Sequence, residues 1–87
     1  MDLNCIDTSR IKDFSYMFQE MKGLQNLDIS EWDVSKGKEF TFMFCGCTDF
    51  NSDISNWNMG EARKCYGMFQ GCKEFNCDIS GWRPNKL

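Results

Sequence analysis

Asp-Ile-Ser-x-Trp occurs three times at a constant spacing of 25 residues: Asp28-Ile29-Ser30-Glu31-Trp32, Asp53-Ile54-Ser55-Asn56-Trp57 and Asp78-Ile79-Ser80-Gly81-Trp82. A second marker, Met17-Phe18, Met43-Phe44 and Met68-Phe69, keeps nearly the same beat. Two interleaved markers with a period in the twenties confine the chain to a repeating stack, because one such unit cannot bury its apolar face alone. The usual product of a stack is an extended surface rather than a pocket.

A degenerate first copy, Asp2-Leu3-Asn4-Cys5-Ile6, occupies the same register, with Ile6 in the Trp column. The units are therefore 2–27, 28–52 and 53–77, followed by a C-terminal stub, 78–87. The first unit carries one extra residue between Met21 and Asp28, where Leu24-Gln25-Asn26-Leu27 replaces Phe50-Asn51-Ser52. No Pro/Gly/Ser linker or charge block separates the units, and the sole proline, Pro84, lies in the polar tail. The chain reads as a single repeat domain, 1–87.

Each unit shows two periodicities. Leu27 and Ile29, then Ile54 and Ile79, alternate with Asp and Ser, which predicts a short half-buried strand. Ile11, Phe14, Met17, Phe18 and Met21 fall at helical spacing, as do Phe40, Met43, Phe44 and Cys47, and then Ala62, Cys65, Met68, Phe69 and Cys72. Ser9, Ser35 and Gly60 stand where an N-cap belongs, and Gly23, Gly46 and Gly71 where a helix ends. The expected fold class is thus α/β, a short solenoid of about three and a half strand–helix repeats. Trp32, Trp57 and Trp82 are expected to stack rung on rung as its spine. Aromatic residues make up 15% of the chain, and each Trp or Phe buries roughly 150–250 Å², which offsets the small size of the domain.

Formal net charge is −3, which disfavours a nucleic acid ligand and suits a partner with a basic surface. No stretch reads as a membrane span or a secretion signal, so a cytoplasmic location is expected, or a surface-exposed one if the chain is an excerpt of an exported protein. The six cysteines, Cys5, Cys45, Cys47, Cys65, Cys72 and Cys77, leave two readings open. Cys47 and Cys72 share a column with Met21, and Cys65 shares one with Phe14 and Phe40, which is the behaviour of small reduced core side chains. Disulfides are the other reading, if the chain is exported.

Catalytic chemistry has little to work with. The chain contains no histidine, so a Cys or Ser nucleophile lacks its usual base, and neither Cys45-x-Cys47 nor Cys72-x₄-Cys77 has common zinc spacing. No phosphate-binding glycine loop occurs. No enzyme activity, catalytic residue, metal or cofactor is expected.

The column Asp2, Asp28, Asp53 and Asp78 is the candidate partner-binding site, widened by Asp33 and Glu31, with Asp7 close in register. On neighbouring strands these carboxylates would lie about 4.7–4.9 Å apart and repel one another. Three things can offset that repulsion: local hydrogen bonds to backbone N–H groups helped by Ser30, Ser55 and Ser80, a partner's Lys and Arg side chains, or a bound cation such as calcium.

In this register the chain resembles the BspA-like leucine-rich repeats of bacterial surface proteins. The likeness rests on Phe50-Asn51-Ser52-Asp53-Ile54-Ser55-Asn56-Trp57, on Trp32-Asp33-Val34-Ser35, and on Met43-Phe44 and Met68-Phe69, each followed three residues later by a small residue. The resemblance implies a right-handed leucine-rich-repeat solenoid and a role in protein or surface contact, with no catalytic residues. Cysteine stands where such repeats usually have alanine, and Gly37 and Ala62 replace a helix-opening valine.

Four functions are in view: a protein-interaction module working through its acidic repeat surface; a small acidic phage-encoded inhibitor of the anti-CRISPR type, blocking a basic nucleic-acid groove; a fragment of a surface adhesin; and a thiol-based metal or redox protein. The open ends of the stack are expected to be capped by residues 83–87 or by a second copy, as a weak homo-oligomer.

Overall fold

Each Asp-x-Ser triplet closes on itself. In the structure, a computed structural model describing residues 1–83, the Asp28 Oδ1 accepts from the Ser30 N–H at 3.0 Å and from the Ser30 hydroxyl at 2.7 Å. The Trp32 N–H then donates to the Ile29 carbonyl at 3.1 Å, closing a four-residue turn that points Ile29 and Trp32 inward. Asp53-Ile54-Ser55 builds the same corner, and Asp33-Val34-Ser35 and Asp7-Thr8-Ser9 build a second one in each unit. These are Asx turns, which short acidic side chains make with the backbone two residues on.

The α/β solenoid of strands and helices is not what the chain builds. Among the described residues the helical content is one 3₁₀ turn, Leu24–Asn26. Among the described residues no strand forms, only isolated parallel bridges: Asp2 with Asp28, Asp13 with Glu39, and Glu39 with Lys64. Ser9 and Ser35 are corner residues bonded to Asp7 and Asp33, not helix caps, and Gly60 N–H donates to Asn58 Oδ1 at 3.0 Å in the equivalent place.

The backbone of the predicted helices shows why. Tyr16, Glu20, Phe42, Gly46, Gly67 and Gly71 all have positive φ, between 54° and 78°. Each is the third residue of a turn, such as Phe14–Met17, closed at 3.3 Å, or Phe18–Met21, closed at 3.0 Å. A left-handed residue at every fourth position cannot belong to a right-handed helix. It instead turns alternate N–H groups toward the neighbouring unit. Phe14, Tyr16, Phe18 and Glu20 donate to the carbonyls of Glu39, Thr41, Met43 and Cys45 at 2.7–2.9 Å. Phe40, Phe42, Phe44 and Gly46 repeat this onto Lys64, Tyr66, Met68 and Gln70. The units are thus rungs made of turns, stacked through their main chains.

Stacking aligns equivalent side chains in columns. Trp32, Trp57 and Trp82 lie 6.4 Å apart with ring planes within 4° of parallel, as expected for the spine. Each indole N–H donates to a carbonyl one rung back: Leu3, Ile29 and Ile54, at 2.9, 3.0 and 3.1 Å. Phe14 stacks on Phe40, Phe18 on Phe44 and Phe44 on Phe69, at 5.2, 5.3 and 5.8 Å. Phe50 and Phe75 form a further stack whose first-rung position is held by Leu24. The extra residue of the first unit is absorbed there, in the 3₁₀ turn that follows left-handed Gly23.

Among the described residues no helix is long and apolar enough to cross a membrane. Pro84 and the expected capping of an open end by the tail lie outside the described residues, apart from Arg83, whose guanidinium donates to the Ser80 carbonyl at 3.3 Å.

Two glycine-related substitutions test this architecture in opposite directions. A Cβ on Gly37 would lie 2.5 Å from Phe40 Cζ and 2.9 Å from Phe14 Cε2, so Gly37→Ala is expected to lose about 2–3 kcal/mol in urea denaturation. Glu20 shares its left-handed column with Gly46 and Gly71, so Glu20→Gly is expected to leave stability unchanged or raise it by up to about 1 kcal/mol. A helix over residues 11–21 would instead make Glu20→Gly destabilising, by about 1 kcal/mol.

Candidate carboxylate edge

The structure places the candidate residues at corners, not on a strand face. Asp28, Asp53 and Asp78 form one exposed column, and Asp78 Oδ1 accepts from Ser80 N–H at 2.9 Å as its counterparts do from Ser30 and Ser55. Asp2 heads the column: its Oδ1 accepts from Asn4 N–H at 2.9 Å, and its backbone bridges to Asp28. Glu31 is exposed and its N–H donates to Asn4 Oδ1 at 2.9 Å, so it sits beside the column. Asp33 belongs to the next corner, above Asp7, and is not part of the Asp28 column. Local hydrogen bonding, one of the three ways to offset the repulsion, is present at each of these corners.

Those bonds outweigh the like charges. Asp28 is held below the ordinary carboxylate value of 3.8 first by the Ser30 N–H and then by its hydroxyl. For Asp53 the Ser55 hydroxyl leads, followed by its N–H, against a lesser opposing effect of Asp28. Asp78 is lowered by the Ser80 N–H, Asp33 by the Ser35 hydroxyl and Asp7 by the Ser9 hydroxyl. The result is a row of carboxylates that keep their charge to a lower pH than an ordinary aspartate.

The thiols follow their columns too. All six cysteines are free. Cys47 Sγ donates to the Phe18 carbonyl at 2.8 Å and Cys72 Sγ to the Phe44 carbonyl at 3.0 Å, so these thiols bridge rungs as well as filling space. Burial pushes Cys47, Cys65 and Cys77 up, and Cys72 up to about 11. Among the described residues no group of three or more Cys, Asp or Glu is placed to hold a metal ion. The concavity beside the acidic column, lined by Asn51, Asp53, Ser55, Asn76, Cys77 and Asp78, is shallow and open.

Sequence reasoning overlooked a second charged column. Lys38 N–H donates to the Lys12 carbonyl and Arg63 N–H to the Lys38 carbonyl, both at 2.7 Å, which lines up Lys12, Lys38 and Arg63 on a different edge. Beside it, Tyr16 packs on Phe42 at 5.8 Å, and Tyr66 is 72% exposed. The signal was present in the register, where all three positions are basic.

The depressed carboxylates set a pH dependence. Their contribution is complete above the unfolded value near 3.8 and is lost as pH falls through the lower folded values. The melting temperature should therefore fall below about pH 4, and Asp28→Asn with Asp53→Asn should flatten that slope while keeping the Asx turns. Alkylation supplies a second check. At pH 8 a thiol near 11 is ionised in roughly one molecule in a thousand, so Cys72 should label at least about tenfold more slowly than exposed Cys5, measured by peptide mapping.

No curated protein and no solved structure matches the chain. The family described as Mycoplasma protein of unknown function, DUF285, matches residues 1–87, and the chain belongs to that family.

Proposed function

We propose that the chain is a non-enzymatic protein-interaction module whose carboxylate edge meets a partner with a basic surface. One observation carries this reading. The Ser30, Ser55 and Ser80 bonds that build the corners all fall on Oδ1 of Asp28, Asp53 and Asp78, so the corner itself uses one oxygen of each exposed carboxylate and leaves the other outside the turn, with Asn4 bonding Asp28 in addition. The corner presents charge at a regular interval, once per rung. Ion pairs at such a site are individually weak, about 0–1 kcal/mol each, so recognition rests on several in a row.

The likeness to BspA-like repeats supports contact rather than chemistry as the role. Free thiols in several columns favour a reducing compartment, which agrees with a cytoplasmic location.

Titration with an oligolysine peptide tests the proposal. Binding is expected at low ionic strength and to weaken steeply with added salt. Asp28→Asn with Asp53→Asn, which keeps both corners, should reduce it at least tenfold. Equal binding by that variant, or no binding by the unaltered chain, overturns the reading.

A further inference from the structure

Two edges of opposite charge run along this stack, and both repeat once per rung. Asp28, Asp53 and Asp78 occupy one, and Lys12, Lys38 and Arg63 the other. The one stack sets the interval in both columns: main-chain bonds of 2.7 Å join Lys12 to Lys38 and Lys38 to Arg63, and at the acidic corners the indole N–H groups of Trp57 and Trp82 bond the Ile29 and Ile54 carbonyls one rung back. A carboxylate column of one molecule therefore has the pitch of the cation column of another, and three pairs form in register once one does. Unrelated basic surfaces lack that matched interval.

We propose that the basic partner of the carboxylate edge is the Lys12–Lys38–Arg63 edge of a second copy of this chain, an inference that rests on the function proposed above. The basic edge is suited to this. Lys12 and Arg63 are exposed and Lys38 is half-buried. Arg10, Lys36 and Lys64 add positive charge nearby, against Asp13, Glu39 and Glu61. Asp13 makes the same kind of corner as the acidic column, its Oδ1 accepting from the Ser15 N–H at 2.9 Å, so the balance here is six cations to three carboxylates. The Tyr16–Phe42 pair and exposed Tyr66 supply apolar area beside the cations. Lys36 lies close to the Asp33 corner and the N-terminal ammonium close to Asp28, whereas no such cation acts on Asp53 or Asp78.

The contact joins different surfaces, so it is heterologous and each added molecule leaves one edge of each sign open. It is lateral, unlike an end-to-end contact. At the C-terminal end Trp82 already stacks on Trp57, in the layer where residues 2–6 of a second copy would have to sit.

Sedimentation velocity on the 87-residue chain and two variants tests this. In about 0.01 M salt, where charges act over roughly 30 Å, the mass should rise above 10.2 kDa with concentration, and return to 10.2 kDa in about 1 M salt. Asp28→Asn with Asp53→Asn, and separately Lys12→Gln with Lys38→Gln, should each remain at 10.2 kDa. Their equimolar mixture, which retains one edge of each sign, should form a species of twice that mass. A chain that stays monomeric at low salt, or a mixture that does, overturns the self-pairing. The lysine variant keeps its carboxylate edge, so its binding to oligolysine separates the two ideas. Retained binding leaves the acidic-edge function standing when self-pairing fails, and lost binding removes both.

Discussion

The alternation of N–H groups along residues 14–20 and 40–46 is the constraint on which the rest depends. One N–H closes a turn within the rung and the next reaches the rung beyond. Buried backbone groups must be paired, and a chain with so little regular secondary structure has few other ways to pair them. The left-handed residues make the alternation possible, since they rotate every second peptide out of the turn. Three of them, Tyr16, Glu20 and Phe42, accept a conformation that costs a non-glycine residue about 1–2 kcal/mol. The stacked rings on the inner face are what make that strain tolerable, because the same turns that impose it aim Phe14, Phe18, Phe40 and Phe44 into the core.

The corners join structure to function by the same economy. One Asp oxygen organises the turn, the apolar residue after it enters the core, and the other oxygen faces outward. A stack built this way displays charge wherever it bends, without a separate binding site to be folded. Its acidic and basic edges follow from which corner or ladder position repeats, and an overall charge of −3 conceals that both exist.

How much of this was legible depended on distance along the chain. The 25-residue period, the three units and the tryptophan spine could be read because columns need only the spacing of like residues. The path within a unit could not. Phe14 and Phe18 lie four apart, which a helix satisfies and so does a run of linked turns. The arbitrating signal was glycine: Gly67 sits in the middle of the helix expected over residues 62–72, and Gly46 and Gly71 lie four residues beyond Phe42 and Gly67 in the same beat. The spacing makes Gly46 and Gly71 look like helix ends, whereas they mark left-handed corners. Asp-x-Ser recurs twice in the second unit with one local geometry, so Ser30 and Ser35 have the same role, and neither is a helix cap. The Lys12 column was missed because charge was averaged over the whole chain.

Main-chain bonds in this molecule pass from each rung to its nearest neighbours. Lys12 offers its carbonyl to Lys38, and Lys38 offers its own, in the same geometry, to Arg63. Excising one whole period would bring Arg63 to the place Lys38 now holds, with an identical acceptor waiting for it. Duplicating a period would insert a layer whose upper and lower faces both already fit. Unequal recombination between copies of the repeat in a gene would therefore lengthen or shorten the protein without creating a junction that needs redesign, and each event would change the number of charges along both edges by one.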